Sequence, residues 1–344
     1  MRTILAPLLS VILMLASLAM LPSALGHAPE FGGGNESLDN ATIVSEPTKS
    51  WVIYGELLEG GEAQYYRLNM SAGESIFAQV TVPVEEGDRD FTPSFVLIGP
   101  GLSSNTTPPS FVQVPAGNGT IVVNGSKANA PDYEPFSPSA FFVVGQIEQE
   151  AHQDGNYYLA VYDNRSGGRY SVAIGERESF TLAEWILIPL SQLRIYEWEG
   201  QEQQIILLPI VLTILTGAVV LTLYARRRAI AATAFILIGS LAGLFFIGSG
   251  MSEIYQMLLC LSQTGSSPTA LVTLIFATLP ILLGICAIRV AWRAGHSAIV
   301  TTKTRILMLS LGIAGLFLWA GLFIGPIAAV LASVSPGISP KRRI

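Results

Sequence analysis

The sequence predicts an all-β extracytoplasmic sandwich joined to an α-helical membrane domain of four transmembrane helices. Three observations carry this expectation. Half of the 344 residues are hydrophobic and only 13% are charged, a balance too apolar for an ordinary soluble chain. The long apolar runs are confined to the N-terminus and to the region after residue 204. Between them lie short runs of β-branched and aromatic residues, separated by Gly, Pro, Asn and Asp.

The first segment, 1–26, reads as a signal peptide. It has one basic residue (Arg2), an apolar run over 4–20 and the small-residue pattern Ala24-Leu25-Gly26, so that cleavage leaves His27 as the new N-terminus. Residues 27–49, with Gly32-Gly33-Gly34, read as a flexible N-terminal segment. The sandwich is expected over 50–178, with strands at 51–54, 63–68, 75–82, 95–98, 120–123, 141–144, 157–162 and 169–174. Residues 179–204 mix Leu182, Trp185, Ile186, Ile188 and Trp198 with Glu184, Arg194 and Glu197, the composition of a juxtamembrane amphipathic element. Within 205–334, apolar stretches at 205–224, 229–250, 269–291 and 306–334 each reach the roughly 20 residues that cross hydrocarbon as helix. Glycine pairs there, Gly239 with Gly243 and Gly321 with Gly325, suit close helix packing. No ionisable residue stands in the middle of these four stretches, unlike a pump or a coupled transporter. A basic tail occupies 335–344.

Charge divides the mature chain. From His27 to Gln204 there are 24 acidic and 8 basic residues, a net of −16, whereas the rest has Glu253 against 10 basic residues. An acidic outer domain repels nucleic acid, which excludes that class of partner. With the sandwich outside, Arg226, Arg227, Arg228, Arg289, Arg293, Lys303 and Arg305 fall inside, as the positive-inside rule requires, while Lys341, Arg342 and Arg343 fall outside against it. Both cysteines, Cys260 and Cys286, are in the apolar half, so the outer domain has no disulfide. Seven of nine asparagines stand in Asn-x-Ser/Thr: Asn35, Asn40, Asn69, Asn105, Asn118, Asn124 and Asn164. All seven are on one side of the membrane, as N-glycosylation demands. A glycosylated, cysteine-free, multi-pass surface protein fits an archaeal cell membrane first and a eukaryotic secretory or plasma membrane second.

Four segments together resemble a known family. Gly61-Glu62-Ala63-Gln64-Tyr65-Tyr66-Arg67-Leu68, Ala72-Gly73-Glu74-Ser75-Ile76, Asp154-Gly155-Asn156-Tyr157-Tyr158-Leu159-Ala160-Val161 and Gly167-Gly168-Arg169-Tyr170-Ser171-Val172 are similar to the pre-peptidase C-terminal domain family. The resemblance implies a small β-sandwich that assists binding or folding and not catalysis. The acidic pair often seen in that family has no counterpart here.

Two metal sites are expected as candidates. His27, with its α-amine and imidazole, and His152 would supply three nitrogens, a donor set suited to Cu(II) and similar to the histidine brace of copper proteins. Glu85, Glu86, Asp88 and Asp90, or Glu148, Glu150 and Asp154, would offer oxygens to Ca²⁺. Catalytic signatures such as Gly-x-Ser-x-Gly and His-Glu-x-x-His are absent. The expected function is therefore a non-catalytic, membrane-anchored surface binding or assembly module, in contact with membrane lipid and another membrane or surface protein. Copper binding at His27 and His152 and an accessory role in a membrane transport complex are the alternatives.

Overall fold

The structure, a computed structural model, describes residues 27–297 and 299–336. The expected signal peptide and most of the basic tail lie outside them. The front part is built from β1 (Ala28–Phe31), β2 (Thr42–Val44), β3 (Trp51–Leu57), β4 (Ala63–Met70), β5 (Ser75–Pro83), β6 (Ser94–Gly99), β7 (Gly119–Val123), β8 (Asp132–Glu134), β9 (Ser139–Glu150), β10 (Gly155–Tyr162) and β11 (Gly168–Ile174). They form a six-stranded sheet, order β1-β3-β11-β5-β9-β8, and a five-stranded sheet, order β2-β4-β10-β6-β7. All eight expected runs fall within strands.

The side-chain period of two decides what each face meets. Ile76, Ala78, Val80 and Val82 of β5 and Ile53 and Leu57 of β3 point into one core, where they meet Tyr66, Leu68, Leu159 and Val161 of the opposite sheet. The other face of the five-stranded sheet, with Tyr65, Val96, Ile98 and Tyr162, is covered by Phe111 and Val112 of the loop before β7. The outward face of the six-stranded sheet carries smaller and more polar residues, among them Gln79, Thr81, Ser171 and Ala173.

The segment expected to be flexible, 27–49, belongs to both sheets. β1 pairs in parallel with β3, and β2 in parallel with β4. Gly32-Gly33-Gly34 carries the chain between the sheets, with Gly34 at φ 73°. Strands of four and three residues are too short to register as an apolar run, which is why the sequence reads as a linker.

Two helices accompany the sheets. α1 (Val84–Asp88) is a single turn after β5. α2 (Leu182–Trp198) lies within 179–204, and it starts on a capping box in which Glu184 N donates to Thr181 Oγ1 (3.2 Å) and Thr181 N donates to Glu184 Oε2 (2.7 Å). It is tied to the sandwich: Lys49 Nζ donates to Glu184 (2.7 Å), Gln192 Nε2 to Phe136 O (3.0 Å) and Trp198 Nε1 to Gly55 O (3.0 Å). Leu182, Leu187 and Leu190 remain exposed on its other side.

Three helices are long and apolar enough to cross a membrane: α3 (Gln203–Arg228), α4 (Ala234–Thr264) and α5 (Ala270–Ser297). The expected fourth span is broken. Residues 306–334 fall into α6 (Thr302–Phe317) and α7 (Ile324–Val334). Between them Trp319 (φ 56°), Gly321 (φ 77°), Leu322 (φ 48°) and Phe323 (φ 62°) adopt left-handed backbone. Pro326, in the first turn of α7, has no N–H to leave unpaired there. The two helices lie antiparallel: a Cβ on Gly312 would sit 3.0 Å from Pro326 O, and Arg305 Nη1 donates to Ser333 O (2.7 Å) and Ser335 O (2.8 Å). The described chain therefore returns to the end at which α6 began.

α4 runs unbroken through 253–261, a stretch that reads as a separate short segment in the sequence. Its 31 residues reach about 46 Å, longer than the hydrocarbon layer, so its last turns stand against the sandwich. α4 and α5 pack backbone to backbone: a Cβ on Gly243 would lie 2.7 Å from Gly284 O, and one on Gly250 2.4 Å from Ala277 O. Gly325 packs α7 closely on Phe246 of α4, as expected of a small residue, whereas Gly321 (φ 77°) turns the chain at the break. Arg226–Arg228, Lys303 and Arg305 stand at helix ends away from the sandwich, with Arg293 about one turn and Arg289 about two turns inside the same end of α5.

Candidate functional site at the seam between sandwich and membrane helices

A cavity of about 150 Å³ lies between the outward face of the six-stranded sheet, α2 and the tops of α5 and the α6–α7 turn. Its floor follows strand alternation: Val52 and Tyr54 of β3, Gln79, Thr81 and Pro83 of β5, Ser171 and Ala173 of β11, Ser139 and Phe141 of β9. Thr81 Oγ1 and Ser171 Oγ bond each other at 2.6 Å across neighbouring strands. The small side chains there leave the space that α2 roofs over.

Aromatic rings form the rest of the wall. Phe180, Trp185, Trp319, Phe276 and Phe136 make a continuous chain, with centroid separations of 5.9, 4.5, 5.9 and 5.5 Å in that order. Trp185 Nε1 donates to Phe317 O (3.1 Å) and Trp319 Nε1 to Trp185 O (2.8 Å), which locks α2 to the tip of the broken helix. Tyr54 and Trp198 meet edge to face at 4.8 Å.

Two carboxyl groups line this apolar space, Glu134 at the end of β8 and Glu199 after α2. Burial pushes each up to about 7. Phe136 N donates to Glu134 Oε1 (3.0 Å), and polar contacts from Ser139 and Gln201 and the charge of Arg169 act on Glu199, but these only partly offset the loss of water. Both residues are half-buried and line the cavity. Beside them are hydroxyls that lack a well-formed hydrogen bond: Ser139 Oγ and Ser137 Oγ on the wall, and Tyr196 Oη behind it. Ser139 is 7% exposed and Tyr196 3%. Ser137 lies against Tyr196 and Ser139 against Glu199, so the polar groups of this wall face one another side chain to side chain. The lining contains no Lys or Arg, and His27 is its one imidazole.

The residues singled out by the sequence are distributed differently. His27 precedes β1 at the cavity's edge, hydrogen-bonded through Nδ1 to Ser50 Oγ. His152 is exposed beyond β9, with Gln149 Nε2 3.1 Å from its Nε2. Strands β3, β11 and β5 separate β1 from β9, a span of about 19 Å at four strand spacings, so the structure does not bring the two histidines together. Glu85 and Glu86 face arginine: Arg169 Nε donates to Glu86 (2.7 Å), and Arg89 Nη2 to Glu85 (2.5 Å). Asp154 Oδ1 accepts from Ala72 N (2.7 Å). Among the described residues, no three His, Cys, Asp or Glu side chains converge as a metal site would require.

Of the sequon asparagines, Asn40, Asn69, Asn105, Asn124 and Asn164 are exposed and Asn118 is half-buried. Asn35 is fully buried, and its Nδ2 donates to Tyr65 O (3.0 Å). Asn105 also uses Nδ2, donating to Val122 O (3.0 Å).

The cavity residues were not visible as a site in the sequence. Thr81, Ser171 and Ala173 read as the wet side of ordinary strands, and Glu134 and Glu199 as two more members of an acidic domain. No protein-family model and no curated protein matches the chain.

Proposed function

We propose that this chain is a membrane-held, non-catalytic binding module whose outer domain resembles a pre-peptidase C-terminal sandwich, and that its ligand site is the seam cavity. The observation that carries the reading is an aromatic-walled space into whose lining two carboxyls, Glu134 and Glu199, and the hydroxyls of Ser137 and Ser139 converge. Concave, mostly apolar spaces with a few convergent polar groups are where proteins take small ligands. In this reading the sandwich lies on the outer side of the membrane, and glycans are carried at the exposed sequons Asn40, Asn69, Asn124 and Asn164.

A thermal-shift survey of the full-length protein in detergent, over amines, acids, sugars and lipids, tests this. At least one class is expected to raise Tm for the native protein and not for Ser191→Phe, which fills the cavity from α2. A rise that survives Ser191→Phe would place the ligand elsewhere, and no rise with any class would remove the binding role.

A second reading, a subunit of a transport assembly, is favoured by the broken helix. Non-helical backbone at membrane depth is tolerated where it is buried in protein or lines a cavity. Here Gly321 N is satisfied by Ser249 Oγ (2.9 Å). Mild-detergent purification that yields a stoichiometric membrane partner would support it, and a chain recovered alone would oppose it.

A further inference from the structure

Resting on the binding role assigned to the cavity, we infer that its ligand is a small organic ammonium group, held by Glu134 and Glu199 within a cage of aromatic rings. The wall has two acids, no Lys or Arg, and rings from Tyr54, Phe136, Trp185, Trp198, Phe276 and Trp319. An acid-lined space without cations repels an anionic group. A neutral apolar ligand would leave both carboxyls facing hydrocarbon with nothing to balance their charge. An alkylammonium satisfies all parts at once: its charge meets the carboxylates, its methyl or methylene surface meets the rings, and ring faces attract cations within about 6 Å of their centroids.

Size agrees. A cavity near 150 Å³ takes a benzene-sized guest, which a substituted ammonium also is. Metal cations fit less well, because oxygen-ligated ions need several converging carboxylates and carbonyls, and no triad of acids converges among the described residues. The exposed Leu182, Leu187 and Leu190 on the far side of α2 put the cavity at the level of lipid headgroups. The ammonium therefore has two sources, a lipid headgroup or a free amine in solution.

Tryptophan fluorescence reads the site directly, since Trp185, Trp198 and Trp319 line it among the chain's five tryptophans. The probes are choline chloride and its neutral carbon isostere, in which a tert-butyl group replaces the trimethylammonium. Both are titrated into the full-length protein in phosphatidylglycerol nanodiscs. We expect saturable quenching by choline at least tenfold tighter than by the isostere, and loss of that preference in Glu134→Gln/Glu199→Gln. These substitutions remove charges that burial already disfavours, so the double variant folds, as a Tm no lower than that of the native protein will report. In phosphatidylcholine nanodiscs, a suppressed choline response identifies the lipid headgroup as the occupant, and an undiminished one identifies a free amine. Equal binding of choline and isostere overturns the ammonium assignment but leaves a binding cavity. Neither probe binding, in either lipid, overturns both.

Discussion

At the scale of single residues, the seam is set by groups whose surroundings contradict their chemistry. Glu134 and Glu199 are carboxyls held near 7 by burial, so the folded protein binds protons that the unfolded chain releases above about 4.5. The stability they contribute is thus present at low pH and is lost as pH rises through about 7. Around them stand His27, Tyr54, Tyr196 and Arg169, with Glu253 and Cys260 of α4 within electrostatic reach of Tyr196. Tm of the ligand-free protein is expected to fall as pH rises from about 4.5 to about 7. In Glu134→Gln/Glu199→Gln the slope should flatten; a slope that persists would assign it to other groups. Asn35 carries a separate prediction. Its buried amide is committed to Tyr65 O, so glycopeptide mass spectrometry should find Asn35 bare while Asn40, Asn69, Asn124 and Asn164 are modified. A full glycan on Asn35 would require a different packing of the 27–49 segment.

At the scale of elements, legibility followed length. Runs of eight or nine residues such as β4, β5 and β10 have a period that composition makes plain, whereas β1, β2 and β8 exist only because a neighbouring strand offers them partners. The fourth membrane stretch misled for a related reason. Hydropathy over 306–334 is continuous, and the break depends on local backbone at Trp319, Gly321, Leu322 and Phe323, which no apolar average records. Pro326 was the usable signal, since proline suits the first turn of a new helix. Because α7 returns alongside α6, a reporter fused after Ile344 is expected on the same side as Arg226–Arg228, which places all ten C-terminal basic residues on one face. Protease or thiol-reagent access to that reporter from the sandwich side would restore a fourth crossing. α2 gives a further prediction: Thr181→Ala removes the cap and should cost about 1 kcal/mol, seen as a lower Tm without a change in overall secondary structure.

At the scale of the whole molecule, the two halves predicted separately from the sequence prove to be one packed unit. Lys49–Glu184, Trp198 to Gly55, Gln192 to Phe136, Tyr133 with Thr273, and the reciprocal amide pair of Gln201 and Gln256 all bridge regions that composition treats as independent. None of these pairs is local in sequence, so no reading of periodicity or charge could join them. The same long-range packing produces the cavity, because its floor comes from the sandwich, its roof from α2 and its far wall from α5 and the α6–α7 turn. Hydrogen exchange on the full-length protein in nanodiscs measures that union most directly. Residues 132–139, 182–199 and 317–323 should exchange slowly and together, and Trp185→Ala should accelerate all three at once. If 182–199 exchanges as fast as an exposed linker, or if Trp185→Ala speeds α2 alone, the sandwich is merely tethered to its helices and the seam site does not exist.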